Sequence, residues 1–331
     1  MHDRRFIVSV ALWLGGLVAA WTLVVLAQVG APTKLSAHVA GMIAFKERAA
    51  AAVAGPKTIV LGGSSVFAGI HCAELGVLTG QPAVNFGLTL ALGPDYILRL
   101  GRQTARPGDT VILVLEYEQY ADTSLRSPLL TDYVLGEDPA YFRSLPWRTE
   151  AEWVLGLPFK RVGKAFLGMA SGEPHEQLVD PDQSMDAAGD RMENHLSQRT
   201  PGMLRELVSY RIPDHYRVWQ EAERDGTVLP RIRAFHRWCG EHGVRLLVAF
   251  PPYPDDAPPG AELDPFFTSL IRFYDAEGIP RLGTPWESLY PRDAFFDSCY
   301  HLTYEAASVR TGVVAKELLA LKNSAAPVPG K

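Results

Sequence analysis

The chain has 331 residues, 47% of them hydrophobic and 21% charged, with a net charge of -5 at pH 7. That length holds one large domain or two small ones, and the acidic balance gives no reason to expect a nucleic-acid partner. Cys72, Cys239 and Cys299 do not have a metal-site spacing, and no cofactor motif is visible, so neither a metal nor a cofactor is expected.

Phe6 to Ala27 is an uncharged apolar run. At 1.5 Å per residue it makes a helix of about 33 Å, enough to cross a hydrocarbon core of about 30 Å. A cleaved signal peptide has a shorter apolar core of about 7–15 residues, and no A-x-A site follows promptly, so an uncleaved anchor over residues 6–29 is the reading. Arg4 and Arg5 precede it, which keeps the tail of residues 1–5 cytoplasmic and puts the bulk of the chain on the other side. Residues 30–56 are Ala-rich and predict a juxtamembrane helix.

Thr58-Ile59-Val60-Leu61 is uncharged and suits a strand covered on both faces. Gly62-Gly63-Ser64-Ser65 follows and predicts a tight turn into a helix. No Lys follows the glycines, so this is not a Walker A loop, and it is not the G-x-G-x-x-G fingerprint of dinucleotide sites. Two readings remain: a hydroxyl capping a helix after a strand, or Ser65 as a nucleophile activated by a distant His. A strand-to-helix turn lies at the C-terminal edge of a parallel sheet, where open α/β folds place their ligands.

Pro82 to Leu88 predicts a second short strand, ending in Asn85-x-Gly87, and Pro94 to Gln103 a helix. Asp109 to Glu118 is the clearest strand pattern, bounded by Pro107-Gly108. From Asp122 to Leu229 the β-α rhythm breaks. Helical patches fall at Glu150–Leu155, Lys160–Met169 and Met203–Tyr210, and the polar stretch Gly172–Pro201 reads as a surface loop. The whole region, residues 122–229, predicts an insertion over the C-terminal edge of the sheet. His195 reads as either a cleft or a surface histidine, and Trp147, Trp153 and Trp219 as either sugar-stacking or core residues.

Pro230 to His242 predicts a helix, Val244 to Phe250 a strand, Pro265 to Glu277 a helix and Ile279 to Gly283 a last short strand. Asp297 and His301 lie in the following loop, before a helical run from Tyr304 to Leu321. Residues 323–331 are expected to be a disordered tail. The pattern predicts an α/β fold of three layers: a doubly wound, mostly parallel five-stranded sheet over residues 57–322, with a largely helical insertion.

A nucleophile after the first strand, with Asp and His on the last loop, resembles the SGNH, or GDSL, hydrolase superfamily. Its first block, Gly-Asp-Ser-x-x-x-Gly, matches Gly63-Ser64-Ser65-Val66-Phe67-Ala68-Gly69 with Ser64 in place of Asp, which makes Ser65 the nucleophile. The last block, Asp-x-x-His, is one residue longer here, from Asp297 to His301. The resemblance implies that Asp297, His301 and Ser65 form a triad and that the N–H groups of Ser65 and Gly87 form the oxyanion hole. The family's third-block Asn, after the third strand, is missing. Glu116, Tyr117, Glu118 and Gln119 stand there, with Gln119 and Glu116 as possible substrate or oxyanion groups; a carboxylate donates only when protonated.

This departure and the N-terminal span resemble the membrane-anchored members that modify extracytoplasmic polysaccharides, such as alginate O-acetylation proteins and the D-alanine transfer protein of teichoic acid synthesis. The resemblance implies an O-acyltransferase, acetyl above all, acting on an exopolysaccharide from the periplasmic face of a bacterial inner membrane. It also implies a multi-span membrane acyltransferase as partner, supplying the acyl group. An esterase of the same glycan and a degenerate polysaccharide-binding scaffold are the alternatives. Cys72 and Cys299 both flank the expected site, which leaves open either a disulfide or small buried thiols.

Overall fold

The computed structural model describes residues 2–120, 127–171, 184–209, 216, 219–220, 223–224, 228–256 and 263–324. The chain divides into two compact units, residues 1–41 with 125–180 and residues 42–124 with 181–331.

The first unit is helical. Helix α1 (His2–Leu26) contains the single stretch among the described residues, Arg4–Leu26, that is long and apolar enough to cross a membrane. Helix α2 (Lys34–Ala52) begins in this unit and continues into the second, where the expected juxtamembrane helix lies. Helices α7 (Pro128–Glu137), α8 (Pro139–Ser144), α9 (Trp147–Gly156) and α10 (Phe159–Ser171) complete the first unit. Its polar anchor is Arg161, which is buried on α10. The guanidinium donates to Asp132 Oδ1 at 2.9 Å, to Ala31 O at 3.2 Å and to Gln28 Oε1. Asp132 also accepts from Thr33 Oγ1 at 2.6 Å, so the buried ion pair is hydrogen-bonded on both sides, as burial requires.

The second unit holds a five-stranded, all-parallel sheet. Its strands are β1 (Thr58–Gly62), β2 (Ala83–Gly87), β3 (Thr110–Val114), β4 (Arg245–Ala249) and β6 (Arg281–Leu282), in the spatial order β2-β1-β3-β4-β6. Every residue of β1, β2 and β3 is buried, which explains why none of the three carries a charged residue. Val60, Ile112 and Leu247 stand in register across three strands and meet Leu75 of α4 (Cys72–Thr79) and Val314 and Leu318 of the last helix, α14 (Tyr304–Ser324). Leu61 faces the opposite side, towards α5 (Gly93–Thr104) and Phe235 of α12 (Val228–Glu241). Helices α11 (Pro201–Ser209) and α13 (Leu263–Ala276) belong to the same unit, and α13 precedes β6. A short parallel pair, β5 (Tyr253–Pro254) with β7 (Leu289–Tyr290), and an antiparallel hairpin, β8 (Phe295–Ser298) with β9 (His301–Leu302), close the unit.

Several expectations need correction. The third strand stops at Val114, and Tyr117–Tyr120 forms a helical turn, α6, because Glu116 N–H bonds the Gln119 side chain (3.0 Å) rather than a neighbouring strand. The described part of the expected surface loop, residues 184–200, is built into the unit: Asp190 and Asn194 are buried. Asp190 accepts from Cys72 N and Ala73 N at 2.7 and 2.8 Å, satisfying the first turn of α4, and Asn194 Nδ2 donates to Leu302 O at 2.9 Å. The residues of the expected insertion divide between the two units, 125–180 with the first and 181–229 with the second. Trp153 and Trp219 are core residues, whereas Trp147 is exposed. His195 is a surface group stacked on Tyr304 and hydrogen-bonded to Glu305. All three cysteines are buried and none is in a disulfide, so Cys72 and Cys299 are not joined. Helix α14 runs on to Ser324, and the remainder of the expected tail lies outside the described residues.

Candidate active site

The neighbours of β1 are β2 on one side and β3 on the other, so the chain leaves β1 at the point where the strand order reverses. Open α/β sheets form their crevices at this point, beyond the carboxyl ends of the strands. Helix α3 (Ser64–Phe67) starts there, immediately after Gly63.

Three strand ends crowd round this short helix. A Cβ on Gly63 would lie 2.3 Å from both carboxylate oxygens of Glu116, and a Cβ on Gly87 would lie 2.2 Å from Phe67 N. Glycine at both positions is therefore a requirement of close approach. Asn85, on β2, fixes α3 from one side: its Nδ2 donates to Val66 O at 3.1 Å and Ile70 O at 2.9 Å. Arg310, on α14, fixes it from below, donating to Ser65 O and Gly69 O at 3.4 Å and to Phe250 O at 2.6 Å.

Ser65 N donates to Glu116 Oε1 at 2.9 Å. Ser65 and Glu116 are both fully buried, and Ser64 is partly exposed. Burial pushes the Glu116 carboxyl up to about 7, an effect only partly offset by the hydrogen bonds it accepts, the one from Ser65 N–H foremost. Both N–H groups expected in the oxyanion hole are engaged, Ser65 N with Glu116 and Gly87 N with Asn85 Oδ1 at 2.9 Å. The Gln119 amide is engaged as well, accepting from Glu116 N at 3.0 Å and donating to Leu90 O at 3.2 Å.

His301 and Asp297 are brought together by the β8–β9 hairpin. Ser298 pairs with His301 across a two-residue turn, Cys299-Tyr300, and His301 Nδ1 lies 2.5 Å from Asp297 Oδ1. The hairpin thus accommodates a spacing one residue longer than Asp-x-x-His. Strand β9 packs against α3, which sets this pair beside the Ser64-Ser65 turn. About a quarter of each side chain is exposed, 25% for Asp297 and 22% for His301, so the pair is reachable. Burial alone would raise the Asp297 carboxyl, but the hydrogen bond and charge of His301, with the charge of Arg191, outweigh it and hold the group below its ordinary range.

Two cations here escaped sequence reasoning. Arg191 lies 3.8 Å from Asp297 Oδ2, over the rings of Phe296 and Phe67 at 5.3 and 6.0 Å. Lys46 of α2 is fully buried, its Nζ 4.5 Å from the centroid of the Phe67 ring, and donates to Gly189 O at 2.8 Å and Asn85 O at 3.1 Å. Burial lowers its ammonium to about 7, against the raising effect of Asp190 and Asp186. Neither residue carries a local sequence signal, since their partners lie far along the chain. Among the described residues no group of three or more His, Cys, Asp or Glu is arranged to hold a metal.

No family model matches this chain, and no curated protein matches it.

Proposed function

We propose that this chain is a membrane-anchored, extracytoplasmic serine O-acyltransferase of the SGNH-like kind, transferring an acyl group, acetyl above all, to an exopolysaccharide. The observation that carries this reading is the His301–Asp297 pair, held on a hairpin that packs against the helix bearing Ser65 at the switch point of the sheet. In this reading Ser65 Oγ attacks the acyl carbonyl and His301 Nε2 takes its proton, while Asp297 holds the ring through Nδ1 and stabilises the imidazolium. The imidazolium protonates the leaving group of the acyl donor as that bond breaks. A sugar hydroxyl then attacks the acyl-enzyme, giving its proton to His301, which returns it to Ser65 Oγ as the serine ester breaks and the sugar ester forms. Such general-base help is worth about 10²–10⁴-fold.

Glu116 stands where the SGNH pattern has its third-block Asn. Protonated, its carboxyl is a donor beside the reacting serine, taking the place of the missing amide. Ser65 Oγ is not bonded to His301 in this structure, and catalytic hydrogen bonds commonly tighten only when substrate is bound. Among the described residues one helix is long and apolar enough to span a membrane, and the sequence holds no motif for an activated acyl donor, so a multi-span membrane acyltransferase supplies the acyl group in this account.

The engagement of Ser65 N–H and Gly87 N–H favours a second reading, a degenerate member that binds polysaccharide without chemistry. The full-length chain in detergent, given an activated acetyl ester and an oligosaccharide acceptor, decides between them. Acetylated oligosaccharide, lost in Ser65→Ala, supports the transferase. Free acetate alone marks an esterase, and no turnover with bound oligosaccharide supports the scaffold.

A further inference from the structure

Helix α10 presents its apolar residues on two faces. Val162 and Ala165 are buried with Arg161 inside the first unit. Phe159, Phe166 and Leu167, spaced i, i+7 and i+8, occupy a different face and are 81%, 40% and 71% exposed. Lys160 and Lys164 are exposed along one edge of that face. Helix α9 adds Trp147 and Leu155, 72% and 56% exposed. A helix that turns large apolar side chains outward, edged by lysines, has the pattern of one lying in a membrane interface. Contiguous exposed apolar surface of this kind is uncommon on a protein surrounded only by water.

The occupant is indicated by α1. Trp21 Nε1 donates to Val154 O of α9 at 2.7 Å, and the Trp21 ring meets that of Phe159 edge-on at 4.7 Å. A cavity of about 480 Å³ lies beside α1 and α9, lined by Val18 and Leu26 on α1 and by Trp147 and Leu155 on α9, with the charged Arg143 and Glu150 also in its wall. Counting about 20 residues across a hydrocarbon core of about 30 Å, a span that enters at Phe6 leaves near Val25. At about 1.5 Å per residue, Trp21 then lies about 6 Å and Val18 about 10 Å inside that boundary. Interfacial helices bury their apolar face by about 5–10 Å, so α9 is already at the depth that its exposed residues demand.

We infer that α9 and α10 lie in the bilayer leaflet at the C-terminal end of α1, with Trp147, Leu155, Phe159, Phe166 and Leu167 among the lipid acyl chains and Lys160 and Lys164 at the phosphates. This rests on reading α1 as a membrane span. The first unit is a monotopic helical platform, and the chain is held to the surface by more than its single span.

The test places a nitroxide on single introduced cysteines of the full-length chain in vesicles of phosphatidylethanolamine and phosphatidylglycerol. The sites are Phe166→Cys, Leu167→Cys, Leu14→Cys in the middle of α1, and Val77→Cys, a position 83% exposed on α4. The native cysteines are buried, and the unmodified chain measures their background labelling. Collision with dissolved oxygen and with a water-soluble nickel chelate reports depth. Labels at 166 and 167 are expected to meet oxygen readily and nickel several-fold less than the label at 77, at a depth between those of 77 and 14. Nickel access equal to that at 77, with 14 deep, overturns the inference and leaves the span standing. Shielding of 166 and 167 from both reagents means that protein covers the face, and also overturns it. A label at 14 that is open to nickel refutes the span itself and the inference with it.

Discussion

Glu116 offers a test of the site that does not depend on knowing the substrate. Its carboxyl is fully buried against Gly63 and accepts the Ser65 N–H, and burial raises it from an ordinary value of 4.5 to about 7. Between these values the folded chain holds a proton that the unfolded chain has released. The stability that this group contributes is therefore fully present below pH 4.5, is lost as pH rises through about 7, and is absent above that. At about 1.4 kcal/mol per pH unit, the loss attributable to this one group is about 3 kcal/mol. Glu116→Gln keeps an oxygen to accept the Ser65 N–H and removes the titration. In detergent, melting followed by tryptophan fluorescence at pH 5 and pH 8 measures the difference. Relative to the variant, the parent chain is expected to lose about 2–3 kcal/mol over that interval, roughly 5–10 °C for a domain of this size. Parallel pH dependence in the two proteins would refute the burial argument for Glu116.

Lys46 gives the opposite sign at higher pH. Its ammonium is lowered from 10.5 to about 7, so from 7 to 10.5 the unfolded chain holds the extra proton and stability rises with pH; Lys46→Met removes that rise in urea midpoints read across the same interval. Asp297→Asn leaves the hairpin folded and lowers turnover of an activated acetyl ester by about 10²–10⁴-fold, while an unchanged rate would dismiss Asp297 as the orienting group. Asn194→Ala leaves Leu302 O, next to His301, without its 2.9 Å donor. A cost of about 1–3 kcal/mol in denaturant midpoint is expected, and no change would mean that the 184–200 segment does not hold β9 in place.

Much of the sheet was legible because a strand buried on both faces must be an uninterrupted apolar run, and four of the five expected strands fall within two residues of those observed. The Ser64-Ser65 turn was legible because two glycines and two small hydroxyl residues after such a run have few other uses. What local pattern does not contain is long-range pairing. Glu116 looked like a mismatch to a motif, and only the close approach of Gly63 shows why a side chain long enough to reach Ser65 N stands there. Residues 184–200 looked like surface because they are polar, yet Asp190 and Asn194 are polar in order to satisfy the start of α4 and the end of β9. Arg191 was passed over for the same reason, its partner Asp297 lying over a hundred residues away. The outward apolar face of α10 was hidden by a pattern that reads as an ordinary amphipathic helix until the buried side is known.

The central claim is that Ser65 is a nucleophile served by His301. The most direct measurement incubates the full-length chain in detergent with an activated acetyl ester, quenches in acid, and locates any acetyl group by fragmentation mass spectrometry. The account predicts an acetyl adduct on Ser65, absent in Ser65→Ala and formed far more slowly in His301→Ala. An adduct on Ser64, an adduct that survives Ser65→Ala, or no adduct on a folded chain would contradict it.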